Sequence, residues 1–287
     1  MAVPQWDRPI DFVYRHAAPM EGIHFHSHAM YELYYFHQGQ CNYLIGDKLF
    51  SLSPGDLILM HGMTLHCPNP SPHAPYVRTM FHFDPAYVQR ILQPELARAL
   101  LAPFERLRNY RIRLNPDQRK EAERMFAEMD GLYAAGDGGP DYKYERFVMR
   151  FIELLYMVKG WCASPEGAHA PASEREKHVQ RVITFLEEHY AEHLTLEAIA
   201  ESLHLTKPYL SNMFKSVTGT TVFKYLYNRR INQAKIYFRL EPHRSVTDIC
   251  HAVGFQHLPH FSRMFKAAVG TTPEAYRRRM AQAANRS

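Results

Sequence analysis

The segment "VGTTPEAYR" (269–277) restates "TGTTVFKYL" (218–226): Gly219, Thr220, Thr221 and Tyr225 recur 51 residues later as Gly270, Thr271, Thr272 and Tyr276. Just upstream, "LSNMFK" (210–215) returns as "FSRMFK" (261–266) at the same offset. Still further upstream the offset becomes 50, because "HLTKPY" is matched by the one-residue-longer "GFQHLPH". A repeat of this quality is hard to obtain by chance. It confines the C-terminal third to two copies of one small supersecondary unit.

Each copy has the grammar of a helix-turn-helix. In the first, Thr195 can cap a helix with Leu196, Ile199, Ala200 and Leu203 on one face. After a turn at "HLT", Thr206 can cap a second helix with Pro208 in its first turn. Leu210, Met213 and Phe214 lie at helical spacing and pack back on the first helix. In the second copy Ser245 and Asp248 form a capping box, and Ile249, Ala252 and Val253 face inward. Gly254 permits the turn, and the second helix packs through Phe261, Met264 and Phe265. The second helix of such a unit enters the major groove of DNA. Removing the inward positions leaves Lys207, Ser211, Asn212 and Lys215 on one reading helix, and His257, His260, Arg263 and Lys266 on the other. Arginine can pair with guanine and asparagine with adenine through two hydrogen bonds each. The lysines suit phosphate. Charge agrees, since residues from Arg175 onward carry 17 Lys and Arg against 9 Asp and Glu. That is a net of +8 in a chain whose total is +5, so the rest carries −3. A basic third on a slightly acidic body suits a polyanion partner.

Residues 176–280 resemble the DNA-binding domain of the AraC/XylS family of transcription regulators. The residues that carry the resemblance are "LTLEAIAESLHLTKPYLSNMFKSVTG", "FKYLYNRRINQAKIYF" and "SVTDICHAVGFQHLPHFSRMFKAAVGTTPEAYRR". The resemblance implies two units joined by a long helix over about 221–239, reading successive major-groove faces roughly 34 Å apart. It also implies an arginine of the connecting helix, here Arg230, in a phosphate or packing role. His204 departs from the glycine usual at the first turn, in a conformation that histidine tolerates.

The N-terminal half follows a different rhythm. "YELYYFH", "CNYLIG", "KLFSL", "DLILM" and "YVRTMFHF" are short β-type runs bounded by "HQGQ", "GD", "SPGD" and "NPSPHAP". Such spacing points to a sandwich or small barrel. From about Asp84 the pattern turns helical. Within 141–159, Tyr144, Phe147, Val148, Phe151, Leu154, Leu155 and Val158 form one apolar stripe, read as a helix packed on its own barrel, with a dimer seam as the alternative. "GWCASPEGAHAPASE" (160–174) is aperiodic and reads as a linker. No apolar run approaches the ~18–20 residues of a membrane helix. The first residues lack a signal-peptide pattern, and four dispersed cysteines read as free thiols of a reducing cytoplasm.

In "HFHSHAMYE" (24–32) three histidines alternate before a glutamate. On a strand His24, His26 and His28 share one face. The family resembled commonly places a cupin-type barrel here. His26, His28 and Glu32 have the spacing of the first cupin metal motif, and "SPGDLILMHGMTLHCPN" resembles the second, with His66 as fourth ligand. Three imidazoles and a carboxylate suit Zn, Ni, Mn or non-haem Fe. The same residues read first as a sensor pocket, with His24, His26, His28, Glu32, Tyr34 and His66 on a ligand and Tyr31, Phe36 and Tyr43 as further aromatic lining. Aromatics with convergent polar groups suit a sugar, and an aromatic acid equally.

The expectation is a two-domain chain: an N-terminal all-β cupin-like barrel plus helices, and a C-terminal all-α double helix-turn-helix. Its parts are a sensing barrel over 1–100, a helical extension over 101–160 suited to dimerisation, a linker over 161–175 and the DNA-binding domain over 176–287. The function expected is a cytoplasmic, non-enzymatic transcription regulator, read as an activator. Its expected partners are double-stranded DNA, a small-molecule effector such as a carbohydrate, a second copy of itself and RNA polymerase. No membrane is involved, and no cofactor unless the barrel holds a divalent metal. The competing reading is a cupin metalloenzyme, an oxygenase or isomerase, tethered to a DNA-binding domain.

Overall fold

Alternating apolar runs with tight turns between them fold the first part of the chain into antiparallel strands. The computed structural model describes residues 8–18, 22, 24–133, 142–163 and 173–284. Its strands are β1 (Ile10–His16), β2 (Tyr31–Gly39), β3 (Cys41–Ile45), β4 (Lys48–Ser51), β5 (Asp56–Met60), β6 (His66–Pro70), β7 (Tyr76–Phe83) and, after two helices, β8 (Tyr110–Arg113). They form a five-stranded sheet ordered β1-β7-β2-β5-β8 and a three-stranded sheet ordered β4-β3-β6. Every pairing is antiparallel. The expected barrel is thus two sheets, with no ladder closing them among the described residues; a single bridge between His26 and His66 ties residue 26 to the smaller one.

The central strand β2 is buried on both faces from Tyr31 to His37. Its even positions, with Tyr34 and Phe36, meet Tyr43, Ile45, Ile58, Met60 and Tyr76 between the sheets. Its odd positions, Tyr31, Leu33 and Tyr35, meet the helices on the outer face. Those helices are α1 (Pro85–Ile91), α2 (Pro94–Leu107), α3 (Pro116–Tyr133) and α4 (Lys143–Ala163). Phe147, Phe151, Leu154, Leu155 and Val158 of α4 are buried in that same core, so the apolar stripe packs on its own sheet. The sheet continues past residue 100 because β8 pairs with β5. Buried Asp56 secures that edge: its Oδ2 accepts from the Ser53 amide at 2.8 Å, and Arg111 and Arg113 of β8 approach it at 3.6 and 3.4 Å.

The rest is helical: α5 (Glu174–His189), α6 (Leu196–Ser202), α7 (Lys207–Thr218), α8 (Val222–Leu240), α9 (Val246–Ala252), α10 (Leu258–Val269) and α11 (Pro273–Ala284). The caps read from sequence form. Thr195 accepts from the Ala198 amide, Thr206 from Tyr209 and Ser245 from Asp248. α7 and α10 both stop at a left-handed glycine, Gly219 and Gly270. Two cores result. Val222, Tyr225 and Leu226 at the start of α8 join α5, α6 and α7; Ile231, Ala234 and Phe238 further along it join α9, α10 and α11. Of the predicted linker, 164–172 lies outside the described residues, 161–163 complete α4 and 173–175 open α5. No described helix is long and apolar enough to cross a membrane.

Candidate nucleic-acid interface and histidine cluster

Inward burial of Leu210, Met213 and Phe214 turns the other side of α7 outward: Lys207, Asn212 and Lys215 are exposed and Ser211 half-buried. On α10, burial of Phe261 and Phe265 exposes Arg263 and Lys266 in the same way. The two helices superpose in register at an offset of 51, so Asn212 corresponds to Arg263 and Lys215 to Lys266. Each helix thus exposes one side chain whose chemistry suits two hydrogen bonds to a base edge and, one turn on, one lysine whose chemistry suits phosphate. Lys207 is held by Glu197 at 2.6 Å, a surface pair that phosphate could displace at little cost. His257 is exposed at the N-cap of α10, whereas His260 is half-buried against Tyr227 and Phe255, each ring 5.5 Å away. Tyr209, the counterpart of His260, is exposed on α7 and went unread in the sequence, although the repeat itself pairs the two positions.

Arg230 belongs to the packing half of its expected role. It is buried, and its Nε and Nη2 donate to the Tyr190 and Glu192 carbonyls at 2.6 and 2.7 Å. The guanidinium lies over the Tyr227 and Phe255 rings. It locks α8 to the end of α5 and does not reach the exposed faces of α7 and α10.

In the β domain, Glu32 projects between the sheets and His82 of β7 stands directly opposite it. Glu32 Oε2 lies 3.5 Å from His28 Nε2, 3.5 Å from His66 Nε2 and 3.4 Å from His82 Nε2. The His26 ring stacks edge-on to His66 with centroids 3.9 Å apart. Ligand atoms of His26, His28 and His66 lie within 4.8 Å of one another, as do those of His28, Glu32 and His82. Burial by itself would raise the Glu32 carboxyl, but His82, His28 and His66 outweigh it and hold the group well below its usual range. Burial would lower His82; Glu32 and Asp11 reverse this and push it up to about 9. Burial and the neighbouring His26 hold His66 well below the ordinary histidine range, and burial lowers His26. The cluster therefore pairs one carboxylate with the His82 imidazolium and keeps neutral imidazole at His26 and His66. Glu32 Oε2 and His66 Nε2 are buried and make no hydrogen bond. Neutral imidazoles, a carboxylate and two unsatisfied ligand atoms form a donor set that fits a divalent first-row cation.

Four of the six sequence-predicted ligand residues, His26, His28, Glu32 and His66, meet here. The other two do not. His24 is exposed, and residues 24–28 form no regular strand, only the bridge at His26. Tyr34 is buried in the core with its hydroxyl donating to Tyr76 at 3.0 Å. Tyr34, Phe36 and Tyr43 pack on one another between the sheets as core, and Tyr31 faces the helices against Phe104. His82 was missed: its strand was legible, but the cross-strand register that sets it opposite Glu32 was not.

A model of the AraC-like ligand binding domain matches residues 10–135, and a helix-turn-helix domain model matches residues 199–279. Over its β part this chain is similar to the AraC family. The HTH-type transcriptional activator RhaS of Salmonella arizonae is 28% identical over 165 residues, 58% of this chain and 56% of RhaS. The bifunctional transcriptional activator and DNA repair enzyme AdaA of Bacillus subtilis is 29% identical over 34% of this chain and 46% of its own length. The chain thus spans about half the length of the curated relatives it matches. Among solved structures, the C-terminal domain of AraT, a response regulator from Geobacillus stearothermophilus, is 31% identical, with 37% of this chain and 88% of that one covered and a TM-score of 0.35. Apo ToxT from Vibrio cholerae is 12% identical over 93% of this chain and 96% of its own, with a TM-score of 0.38.

Proposed function

We propose that this chain is an AraC-family, sequence-specific DNA-binding transcription regulator whose β domain takes a small effector. The observation that carries the reading is the matched pair of exposed faces, Asn212 with Lys215 and Arg263 with Lys266, on equivalent helices of two repeated units. α8 spans 19 residues, about 28 Å, between them. That length suits two reading helices addressing successive turns of one duplex face. The regulator acts in the cytoplasm, as an activator after the manner of RhaS, and contacts RNA polymerase when bound. It works as a homodimer that pairs two bipartite sites. The side of α4 turned away from its core supports this, since Met149 and Tyr156 stand exposed one heptad apart.

The effector site is the cluster of His26, His28, Glu32, His66 and His82, and its donor set favours a divalent transition cation, or a ligand held through one, over a sugar resting on aromatic walls. A bound cation supplies the positive charge that His82 otherwise provides to Glu32. The reading is non-enzymatic: the cluster senses rather than turns over.

Sequencing the genomic fragments that the purified protein retains from sheared DNA of its source organism tests the first reading. The expected result is a bipartite motif with halves about one helical turn apart. Retention without any enriched sequence would refute it.

A further inference from the structure

Residues 24–28 carry two messages on two faces. His26 and His28 turn into the cluster, while Phe25 and Ser27 turn the other way, onto α8. The Phe25 ring packs on Tyr225 with centroids 5.9 Å apart. Ser27, buried, donates from Oγ to Asn232 Oδ1 at 2.6 Å. Lys235 Nζ donates to the Ser27 carbonyl at 2.9 Å and to the Ser27 hydroxyl. Asn232 reaches a second ligand-bearing segment as well. Its Nδ2 donates to the Met63 carbonyl at 3.0 Å, and the Met63 amide donates to the His28 carbonyl at 2.6 Å. Met63 sits three residues before His66 with φ of 64°, a conformation that a methionine holds only where its surroundings enforce it. Asn232 and Lys235 therefore grip two of the three chain segments that supply the cluster with imidazoles, and the helix they belong to is the spacer between the two reading units.

We propose that Ser27, Asn232 and Lys235 are a latch through which the occupancy of the histidine–carboxylate cluster sets the pose of the DNA-reading units. The proposal rests on the reading of that cluster as the effector site. Drawing His28 and His66 onto a shared cation moves the carbonyls of His28 and Met63 and the backbone at Ser27. Of these, the Met63 carbonyl and Ser27 are the groups that α8 holds through short polar contacts, and the His28 carbonyl is tied to them through the Met63 amide. A ligand shifts such an equilibrium only by its differential affinity for the two arrangements. Residues 24–28 supply that difference, because the contacts to α8 cannot keep their geometry when the imidazoles converge. Lys235 adds to the poise. It is buried with the Ser27 carbonyl and hydroxyl as its partners, and burial lowers its amine to about 8, so the latched pose holds an ammonium out of water that release would return to it.

The test uses the full chain and Co²⁺ as probe, with binding followed by calorimetry and hydrogen exchange read across residues 222–240. In the native protein Co²⁺ is expected to bind and to change α8 exchange about tenfold, the scale of an ordinary allosteric coupling. In Ser27→Ala and in Lys235→Met the cation should still bind, while α8 no longer responds. Binding with no response on α8, or a response equal in the variants, overturns the latch and leaves the metal reading standing. No binding of Co²⁺ overturns the metal reading instead. The latch is then decided by Glu32→Gln, which perturbs the cluster from within. An altered α8 exchange that disappears when Lys235→Met is added supports it, and unaltered exchange overturns it.

Discussion

Asn212 and Arg263 occupy the same place on two copies of one helix, and so do Lys215 and Lys266. This separates specificity from affinity at single residues. Arg263→Ala should cost about 1–3 kcal/mol of binding and relax base preference at one position, whereas Lys266→Ala should weaken all sequences alike and reduce the salt slope by about one. Titrations against a panel of single-base variants at two salt concentrations check both; equal loss on every variant for Arg263→Ala would remove it from base reading. Backbone demands are equally local. Gly254 turns the second unit at φ +87°, and a Cβ there would meet the Ala191 carbonyl oxygen at 2.6 Å, backbone that cannot step aside. Gly254→Ala should therefore destabilise the fold by about 2 kcal/mol or more, read as a lower denaturation midpoint. His204 holds the same turn of the first unit at φ 56° with no glycine at all, so the turns tolerate a side chain in one unit and refuse it in the other.

At the level of elements, β8 depends on one buried carboxylate. Replacing Asp56 by alanine removes the buried carboxylate that Arg111 and Arg113 approach and should cost about 3–5 kcal/mol in chemical denaturation, with exchange rising first along β8. On α4, Phe151→Ala should cost about 3–5 kcal/mol, because that face is core. Tyr156→Glu on the opposite face should leave stability nearly unchanged and weaken self-association in sedimentation; an unchanged association state would take α4 out of the dimer. What was legible in the sequence divides along the same line. The helix-turn-helix units announce themselves through caps, left-handed glycines and a repeat, all of which are local. β2, β3, β4, β5 and β7 show as apolar runs for the same reason. β6 hides behind Pro68 and Pro70, which read as a turn but sit in an edge strand, where a missing amide is tolerated. β8 has four residues inside a helical stretch and is a strand only because β5 offers an edge. The cluster was four-fifths visible, since His26, His28, Glu32 and His66 fall in recognisable spacings. His82 depends on the β2–β7 register that sets it opposite Glu32, 50 residues away, which no local pattern records. The outward turn of Phe25 and Ser27 depends on another domain altogether.

Across the molecule, the smaller sheet is the platform for the helical part. Asn42 and Asn69 both donate to the Val217 carbonyl at 3.0 Å, and Gln180 brackets the β3–β4 hairpin through the Leu49 amide and the Asp47 carbonyl. Leu44, Phe25 and Leu49 complete the first helical core. Disturbing this platform should be felt at a distance: Asn42→Ala with Asn69→Ala should raise exchange at the end of α7 without changing cation binding in the β domain.

The division of labour along α8 has one more consequence. Each reading unit takes part of its interior from a different stretch of this single helix, like two rooms sharing one wall. The repeated stretch of sequence is therefore not the stretch that can stand alone. The sequence repeats a helix pair, but each copy is closed by a beam common to both, so a break in that beam is expected to bring down both rooms together.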